Sequence, residues 1–431
     1  MNLKLTINKA FQFFHILKQI VLIATAVLLT KSGVTQAEIG NYEMLFFLLF
    51  AVSFFWINGS VQGFLTKYPQ LEETKQKQLI FQLFVCFSAL SFAVILLLLF
   101  GEKSILQVLT NRPQLAHYQI FLIFIFFNLP TYLVENIYLL KERAKALVGF
   151  ASFSFLLQLV AIILPVLLGY DLHTSFICLA ILSILKYVWL LILLVEVAQI
   201  NWQFNLLWET LRLSLPLMLY SLVGGFAQVF DSWLVNFQYD GDPDQFAIFR
   251  YGARELPFAL AVATAFGSSM LPKLVKNRSE SLSTIREKSR TLFHLLFPLA
   301  IIAALSSQWL FPLILNPEFQ ESYLVFNIYL LILTSRLLFP HTILISLEKN
   351  KFIFYTSLVE LIINVTASFF LVQKMGLMGI ALGTVIAYAF EKIVYVTYLH
   401  RNYQLPFHRY TDVRWWAFYS VILSGVVWWS V

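Results

Sequence analysis

Apolar runs of about twenty residues alternate with short polar segments along almost the whole chain. A helix that crosses the hydrocarbon core of a bilayer needs about 20 mostly apolar residues. The pattern therefore predicts thirteen spans, of which the last is short enough to lie in the membrane interface instead. Their ranges are 11–30, 42–65, 79–100, 117–140, 147–169, 174–197, 212–237, 246–271, 291–315, 323–347, 352–373, 377–399 and 414–431.

Composition supports a membrane protein and excludes several other classes. Of the 431 residues, 59% are hydrophobic and 12% are charged, whereas a soluble protein has about 25% charged residues. This excludes a cytosolic enzyme, a disordered chain and a nucleic-acid binder, and the net charge of +7 indicates basic loops at an anionic lipid surface. Cys86 and Cys178 lie inside apolar runs and predict neither a disulfide framework nor a metal site. We expect no cofactor.

The basic residues between the spans predict the orientation of the chain. With the N-terminus placed inside, twenty Lys and Arg residues fall in inside segments and four fall in outside loops. Cytoplasmic loops of membrane proteins carry an excess of Lys and Arg, so the N-terminus is predicted to be cytoplasmic. The outside turn with Asp240, Asp242 and Asp244 is acidic, as this orientation requires.

Several charged residues fall inside the predicted spans. A basic residue at the centre of a membrane helix costs about 2.5–3.5 kcal/mol on insertion scales. Such residues must face a water-filled cavity, pair with acids or reach the interface. The basic candidates for a cationic cleft are Lys18, Lys186, Arg250, Arg254 and Arg336; Lys392 also lies in a span, and the acidic residues there are Glu135, Asp231, Glu255, Glu360 and Glu391.

Three of the carboxylates, Asp231, Glu360 and Glu135, are candidates for ion coupling, because each lies on or beside a polar stripe of its helix. Glu360 lies four residues before Asn364, so both face one side of a helix. The alternative is that each acid only neutralises a buried base. For Glu360 that base would be Arg336, and for Asp231 it would be Arg250.

Local similarities about 205 residues apart indicate an internal repeat. The segment 139–145 resembles 346–351, and Lys186-Tyr187-Val188-Trp189 resembles Lys392-Ile393-Val394-Tyr395. We therefore predict an all-α polytopic membrane protein with two six-helix lobes in parallel repeat, residues 1–200 and 201–400, around a central cleft. Residues 401–431 form a C-terminal extra helix. Without a phosphate-binding loop or a large outer domain, a membrane glycosyltransferase or polysaccharide polymerase is the less favoured class.

The order of these segments resembles the multidrug/oligosaccharidyl-lipid/polysaccharide exporter superfamily, in its polysaccharide flippase (Wzx-type) branch. The resemblance is carried by residues 211–235 and 347–390, by Glu38-Ile39-Gly40-Asn41-Tyr42 before the second span, and by the Gly376-Leu377-Met378-Gly379-Ile380-Ala381 joint. Met270-Leu271-Pro272-Lys273 matches the ending of the family's eighth helix. The chain departs from the family in its thirteen spans. Its first helix also carries Lys18 and lacks the acidic residue that is often linked to cation coupling in drug exporters of the superfamily.

The resemblance implies a secondary flippase of the bacterial inner membrane. Its cargo would be an oligosaccharide linked to undecaprenyl diphosphate, and its partners would be membrane lipids, a polysaccharide polymerase and glycosyltransferases. Arg binds phosphate oxygens bidentately, and Arg250 and Arg254, four residues apart, are expected to share a helix face and bind the diphosphate. Export of a peptidoglycan lipid precursor and multidrug export remain open. The six basic residues inside the spans against five acidic ones favour an anionic cargo.

Overall fold

A computed structural model describes residues 6–256 and 259–431, and within them the secondary structure is helical, without a strand. The α-helices are α1 Ile7–Lys31, α2 Gln36–Lys67, α3 Glu73–Phe100, α4 Glu102–Thr110, α5 Tyr118–Asn128, α6 Tyr132–Leu140, α7 Ala144–Leu167, α8 Leu172–Val197, α9 Phe204–Gln238, α10 Pro243–Gly252, α11 Ala259–Lys276, α12 Arg278–Ile314, α13 Ser322–Leu330, α14 Ile332–Arg336, α15 Pro340–Ser346, α16 Asn350–Met375, α17 Leu377–Tyr403 and α18 Val413–Ser430. The all-α polytopic class is confirmed.

Ten of the predicted spans correspond to helices that are long and apolar enough to cross a membrane within the described residues. An eleventh is broken: Ser322–Arg336 and Pro340–Ser346 meet at an angle of 42°. Pro340 is the first residue of the second helix. Because proline has no amide N–H to donate to the carbonyl of residue 336, the preceding helix cannot continue through it. The structure also contains α4, a helix of nine residues that the apolar pattern did not predict.

The predicted span 246–271 is two helices. Helix α10 ends at Gly252 and α11 begins at Ala259, and residues 253–256 between them are not helical. The sequence has a proline at 257, which restricts the residue before it to extended conformations; Pro257 itself lies outside the described residues. A continuous helix over this range was therefore a wrong prediction.

The chain divides into two compact units. The first contains Met1–Gly225 with Asp240–Asp244, and the second contains Phe226–Tyr239 with Gln245–Val431. Within the first unit α1 packs on α7, and α8 packs on both α5 and α7. Within the second unit α16 packs on α17, and α12 packs on α18. The lobe boundaries at residues 200 and 400, the repeat and the cleft stay predictions.

The start of α2 in the first unit explains the Glu38–Tyr42 motif. The Thr35 amide donates to Glu38 Oε2 at 3.0 Å, and the Glu38 amide donates to Thr35 Oγ1 at 3.3 Å. This reciprocal pair satisfies amides that a helix N-terminus leaves without partners. A Cβ at Gly40 would lie 1.9 Å from the carbonyl oxygen of Pro243. Only glycine allows this close backbone contact.

Helices α16 and α17 form a tight antiparallel hairpin. Gly376 alone joins them, with φ +58° and ψ −139°, a conformation that is open essentially only to glycine. A Cβ at Gly379 would lie 2.3 Å from the backbone of Leu371, and a Cβ at Gly383 would lie 2.1 Å from Ser368 Oγ. Small residues four apart let two membrane helices approach closely. This spacing brings side chains of α16 and α17 into direct contact.

Candidate functional site

Lys18, Lys186 and Glu135 lie together inside the first unit, and we call these three residues the lysine cluster. Lys186 Nζ donates to Asn128 Oδ1 at 2.6 Å. Lys18 Nζ lies 5.7 Å from the ring centre of Tyr132, within the range of a cation–π contact. The Glu135 carboxylate interacts electrostatically with both lysines. All three charged side chains are partly buried.

The break between α5 and α6 positions this cluster. Pro130 lies in a 3₁₀ turn, Leu129–Thr131, between the two helices. Asn128 ends α5 on one side of the turn, while Tyr132 begins α6 on the other. Two lysines against one glutamate leave an excess of one positive charge within the cluster. The arrangement suits an anionic group, because a partly buried positive charge attracts anions more strongly than an exposed one.

A second group of polar side chains surrounds Asp231 in the second unit; this Asp231 cluster consists of Asp231, Tyr329, Asn364 and Thr384. Asp231 Oδ2 accepts from Thr384 Oγ1 at 2.8 Å and from the Tyr329 hydroxyl at 3.4 Å. Asn364 Nδ2 donates to Thr384 Oγ1 at 3.0 Å. Asp231 is 4% exposed and Asn364 is 2% exposed. The cluster joins α9, α13, α16 and α17.

Two oxygens in the Asp231 cluster have no hydrogen-bond partner among the described residues. They are Asp231 Oδ1 and Asn364 Oδ1, and both atoms are buried. A buried polar atom without a partner costs about 1–3 kcal/mol, so such atoms often mark a binding site. A proton on the carboxylate, or a small cation among the oxygens, would satisfy them. Within the described residues no group of three His, Cys, Asp or Glu side chains is placed to hold a metal ion.

Arg336 forms an ion pair with Glu255 instead of Glu360. Its Nε donates to Glu255 Oε2 at 3.2 Å, and its Nη2 donates to Glu255 Oε1. The guanidinium carbon lies 4.9 Å from the ring centre of Tyr388. The predicted alternative, in which Glu360 neutralises Arg336, is therefore wrong, because Glu255 occupies the fork of the guanidinium.

Glu360 has no ion-pair partner within the described part of the chain. The nearby base Lys392 is paired with Glu391, and Arg336 is paired with Glu255. Glu360 interacts with these charges only at longer range. It is thus a partly buried carboxylate beside two neutralised ion pairs.

The end of α10 separates Arg250 from Arg254. Arg250 lies in α10, while Arg254 follows the end of that helix at Gly252. Arg254 Nε donates to the Arg250 carbonyl oxygen at 3.4 Å, and its guanidinium lies 5.1 Å from the Tyr251 ring centre. The shared helix face expected from their spacing does not exist, because the helix has already ended.

The sequence identified the charged residues of both clusters and also Asn364, but it missed two neutral partners of Asp231. Tyr329 and Thr384 were not singled out, although Thr384 follows Gly379 and Gly383 on the helix that these glycines bring against α16. The glycine pair was the signal that one face of α17 contacts α16. Tyr329 carried no comparable signal in the sequence.

Neither family models nor curated proteins match the sequence, but solved structures match the fold. A structure titled lipid II flippase MurJ, inward closed conformation, has a TM-score of 0.68 at 16% identity, with 97% of each chain covered. An inward-facing multidrug resistance MATE family transporter of the MOP superfamily has a TM-score of 0.60 at 13% identity, with 94% of each chain covered.

A third similar structure is a MOP superfamily transporter from Pyrococcus furiosus, whose title reports a reverse polarity of the binding pocket. Its TM-score is 0.59 at 14% identity, and the match covers 93% of this chain and 96% of that chain. These likenesses extend over nearly the full length of each protein. This multi-pass membrane protein therefore has the fold of MOP superfamily transporters.

Proposed function

We propose that this protein is a secondary flippase that moves a lipid-linked oligosaccharide across the bacterial inner membrane for surface polysaccharide synthesis. The carrier is a polyprenyl diphosphate such as undecaprenyl diphosphate. A polysaccharide polymerase uses the product outside, and glycosyltransferases supply the cargo inside. The fold of transporters and the lysine cluster are the observations that support this proposal.

The lysine cluster carries the argument for an anionic cargo. A drug exporter for cations favours an acidic cavity, whereas this cluster holds two lysines and one glutamate. Lys186 is held by a neutral amide, Asn128, so its positive charge is available to a second, anionic partner. Ammonium groups bind phosphate oxygens through charge-assisted hydrogen bonds.

The test replaces the lysines in a host that lacks its own flippase. Lys186→Ala and Lys18→Ala should each lower cargo flipping by about tenfold or more, as expected for a lost hydrogen bond to a charged group. Lys186→Arg should retain most activity, and Lys103→Ala, on the exposed outer helix α4, is the matched control. Normal flipping by a Lys18→Ala/Lys186→Ala double variant at normal membrane levels would refute the role of the cluster.

A peptidoglycan lipid precursor is the second candidate cargo, because one similar structure is titled a lipid II flippase. The two cargoes are separated by complementation. Rescue of a strain depleted of its peptidoglycan-precursor flippase would favour this candidate. Rescue of surface polysaccharide alone supports the oligosaccharide.

The Asp231 cluster is proposed as the coupling site. The sequence contains no phosphate-binding loop for ATP, so we expect transport to draw on an ion gradient, on the membrane potential or on removal of the product outside. Asp231 has an unpartnered oxygen, little exposure and neutral neighbours. Protonation or cation binding there changes the charge of the second unit's interior. Glu360 and Glu135 are the further candidates for this coupling.

Asp231→Asn tests coupling, because asparagine keeps the size of the side chain but does not titrate. Flipping should lose its dependence on the pH gradient, while cargo binding without a gradient is retained. Glu318→Gln, in the outer 3₁₀ turn, is the control. Parallel measurements with proton and sodium gradients identify the ion. An unchanged response to both gradients would exclude Asp231.

A further inference from the structure

A cavity of about 310 Å³ lies within the second unit, bounded by α11, α14, α15 and α17. Apolar atoms form most of its wall, but polar side chains from all four helices also line it: Thr264, Ser268, Arg336, His341, Tyr388 and Lys392. A cavity of this size has room for water, and these side chains offer the polar partners that bound waters need. Neither the cargo proposal nor the Asp231 cluster accounts for this cavity.

The cavity follows helices α11 and α15 towards their C-terminal ends. On α11 it is lined by Thr264, Ser268 and Leu271, which are followed by the basic end of the helix at Lys276. On α15 it extends to Ile345, one residue before that helix ends. The Lys and Arg distribution predicts that these ends lie on the cytoplasmic side.

The opposite end of the cavity is adjacent to the Asp231 cluster. Tyr388, which lines the cavity, is one helical turn from Thr384, the donor to Asp231. Tyr388 also interacts electrostatically with Tyr329, whose hydroxyl donates to Asp231 Oδ2. Tyr388 and Tyr329 thus connect the lining of the cavity to the surroundings of the buried carboxylate.

The charges on the cavity wall are compensated. Arg336 is paired with Glu255, and Lys392 is paired with Glu391. Unpaired cations along a pore exclude protons and other cations, and ion pairing removes most of that barrier. The groups that face Asp231 from the packed helices, namely Tyr329, Asn364 and Thr384, are neutral.

We propose that this cavity is a water-filled path by which protons pass between the cytoplasmic side and Asp231, with Tyr388 and Tyr329 as the last relay. This inference rests on the proposed coupling role of Asp231. When Asp231 is protonated from the cytoplasmic side, a hydrated proton in the cavity is first transferred to the Tyr388 oxygen. The hydroxyl proton of Tyr388 passes through a bridging water to Tyr329, and that of Tyr329 passes directly to Asp231, to which its hydroxyl is hydrogen-bonded. Each tyrosine stays neutral after the transfer, and the reverse sequence releases the proton.

Thiol labelling tests the water path without any transport measurement. In a variant lacking Cys86 and Cys178, Ser268→Cys and Thr342→Cys place thiols on two walls of the cavity. A charged methanethiosulfonate added to inverted membrane vesicles should modify both. Ile393→Cys is the control, because Ile393 is 64% exposed but lies outside the cavity lining and, we expect, in lipid. Labelling of neither cavity position, or equal labelling of the control, would overturn the path.

Tyr388→Phe tests the relay. This variant removes the hydroxyl but keeps the ring beside Arg336. Proton-driven flipping should fall by about tenfold to 100-fold. A positioned proton-transfer group typically contributes about 100-fold or more, so this expected loss is at the low end of that range or below it. Tyr355→Phe, at an exposed site on α16, should be silent. Unchanged proton-driven flipping by Tyr388→Phe overturns the relay. A silent Asp231→Asn variant together with labelled cavity thiols would instead contradict the coupling role and leave the path intact.

Discussion

Glu360 is a partly buried carboxylate whose basic neighbours are already paired with other acids. Both nearby bases already have carboxylate partners, Arg336 with Glu255 and Lys392 with Glu391. A third carboxylate in this environment is not needed for charge balance. Glu360 therefore remains a candidate for the ion coupling proposed above.

Replacement of Glu360 by glutamine separates titration from shape. Glu360→Gln keeps the hydrogen-bonding capacity but cannot titrate, so the dependence of flipping on the pH gradient should weaken. Flipping by proteoliposomes is measured across a series of imposed pH gradients. Glu287→Gln, exposed on α12, serves as the control. If a well-folded Glu360→Gln protein keeps the full gradient dependence, Glu360 has no coupling role.

The Arg336–Glu255 pair makes a second prediction at this scale. The two side chains are 20% and 24% exposed, so removal of one partner leaves a poorly solvated charge. Glu255→Gln should destabilise the protein by about 1–3 kcal/mol, below the range for a fully buried pair. The double variant Glu255→Gln/Arg336→Gln should be less destabilised than Glu255→Gln. Thermal unfolding in detergent measures the stability of both variants. If the destabilisation in the double variant equals the sum for the two single substitutions, the ion pair does not stabilise the protein as predicted.

At the scale of the helix, the contact between α16 and α17 depends on missing side chains. Gly379 and Gly383 place the backbone of α17 against Leu371 and Ser368. The same approach holds Asn364 of α16 and Thr384 of α17 within hydrogen-bond distance. The geometry of the Asp231 cluster therefore depends on helix packing as much as on its own polar groups.

Gly383→Ala should disturb that packing. Its Cβ would lie 2.1 Å from Ser368 Oγ and 2.6 Å from the Ser368 amide nitrogen, and overpacking of this kind costs about 1–3 kcal/mol. The melting temperature and the gradient dependence of flipping should fall together. Gly425→Ala is the control, because nothing lies within 4 Å of its Cβ position. If Gly383→Ala and Gly425→Ala have the same melting temperature, the contact between α16 and α17 tolerates the added methyl group and the prediction is wrong.

The sequence predicted where helices lie better than where they break or which charges meet. Apolar length is a property of each segment, so most spans were located from it. Breaks at Gly252 and before Pro340 depend on local backbone preferences that hydropathy does not record. The partner of Arg336 is 81 residues away at Glu255, and the choice among five carboxylates depends on the rotation and packing of helices. No single-helix pattern contains that information.

At the scale of the whole molecule, whether α18 crosses the membrane determines on which side of the membrane residue 431 lies. Its 18 residues extend about 27 Å at 1.5 Å per residue, close to the thickness of the hydrocarbon core. Arg290 lies 3.6 Å from Asp412 just before its start, and Ser430 accepts a hydrogen bond from Asn327 at its end. Tryptophan pairs at 415–416 and 428–429 lower its mean hydropathy but are typical of the two membrane interfaces.

We therefore predict that α18 crosses the membrane and that the C-terminus is outside. Alkaline phosphatase fused after Val431 should be active, and a green fluorescent protein fused there should be dark. As a control, the same reporters are fused after Arg409, in a segment predicted to be cytoplasmic. There the fluorescent protein should be fluorescent and the phosphatase inactive. A fluorescent, phosphatase-inactive fusion at Val431 would place α18 in the interface.

The single-residue joint between α16 and α17 also affects how the protein is made. Helix α16 carries Glu360, Asn364 and Lys374, and ionisable residues make membrane insertion of an isolated helix unfavourable. Because Gly376 alone connects it to α17, the second helix leaves the ribosome directly behind the first. Insertion as one hairpin buries the polar face of α16 against α17 before lipid surrounds it. A nascent chain that stops at Gly376 would accordingly remain poorly inserted until α17 has been translated.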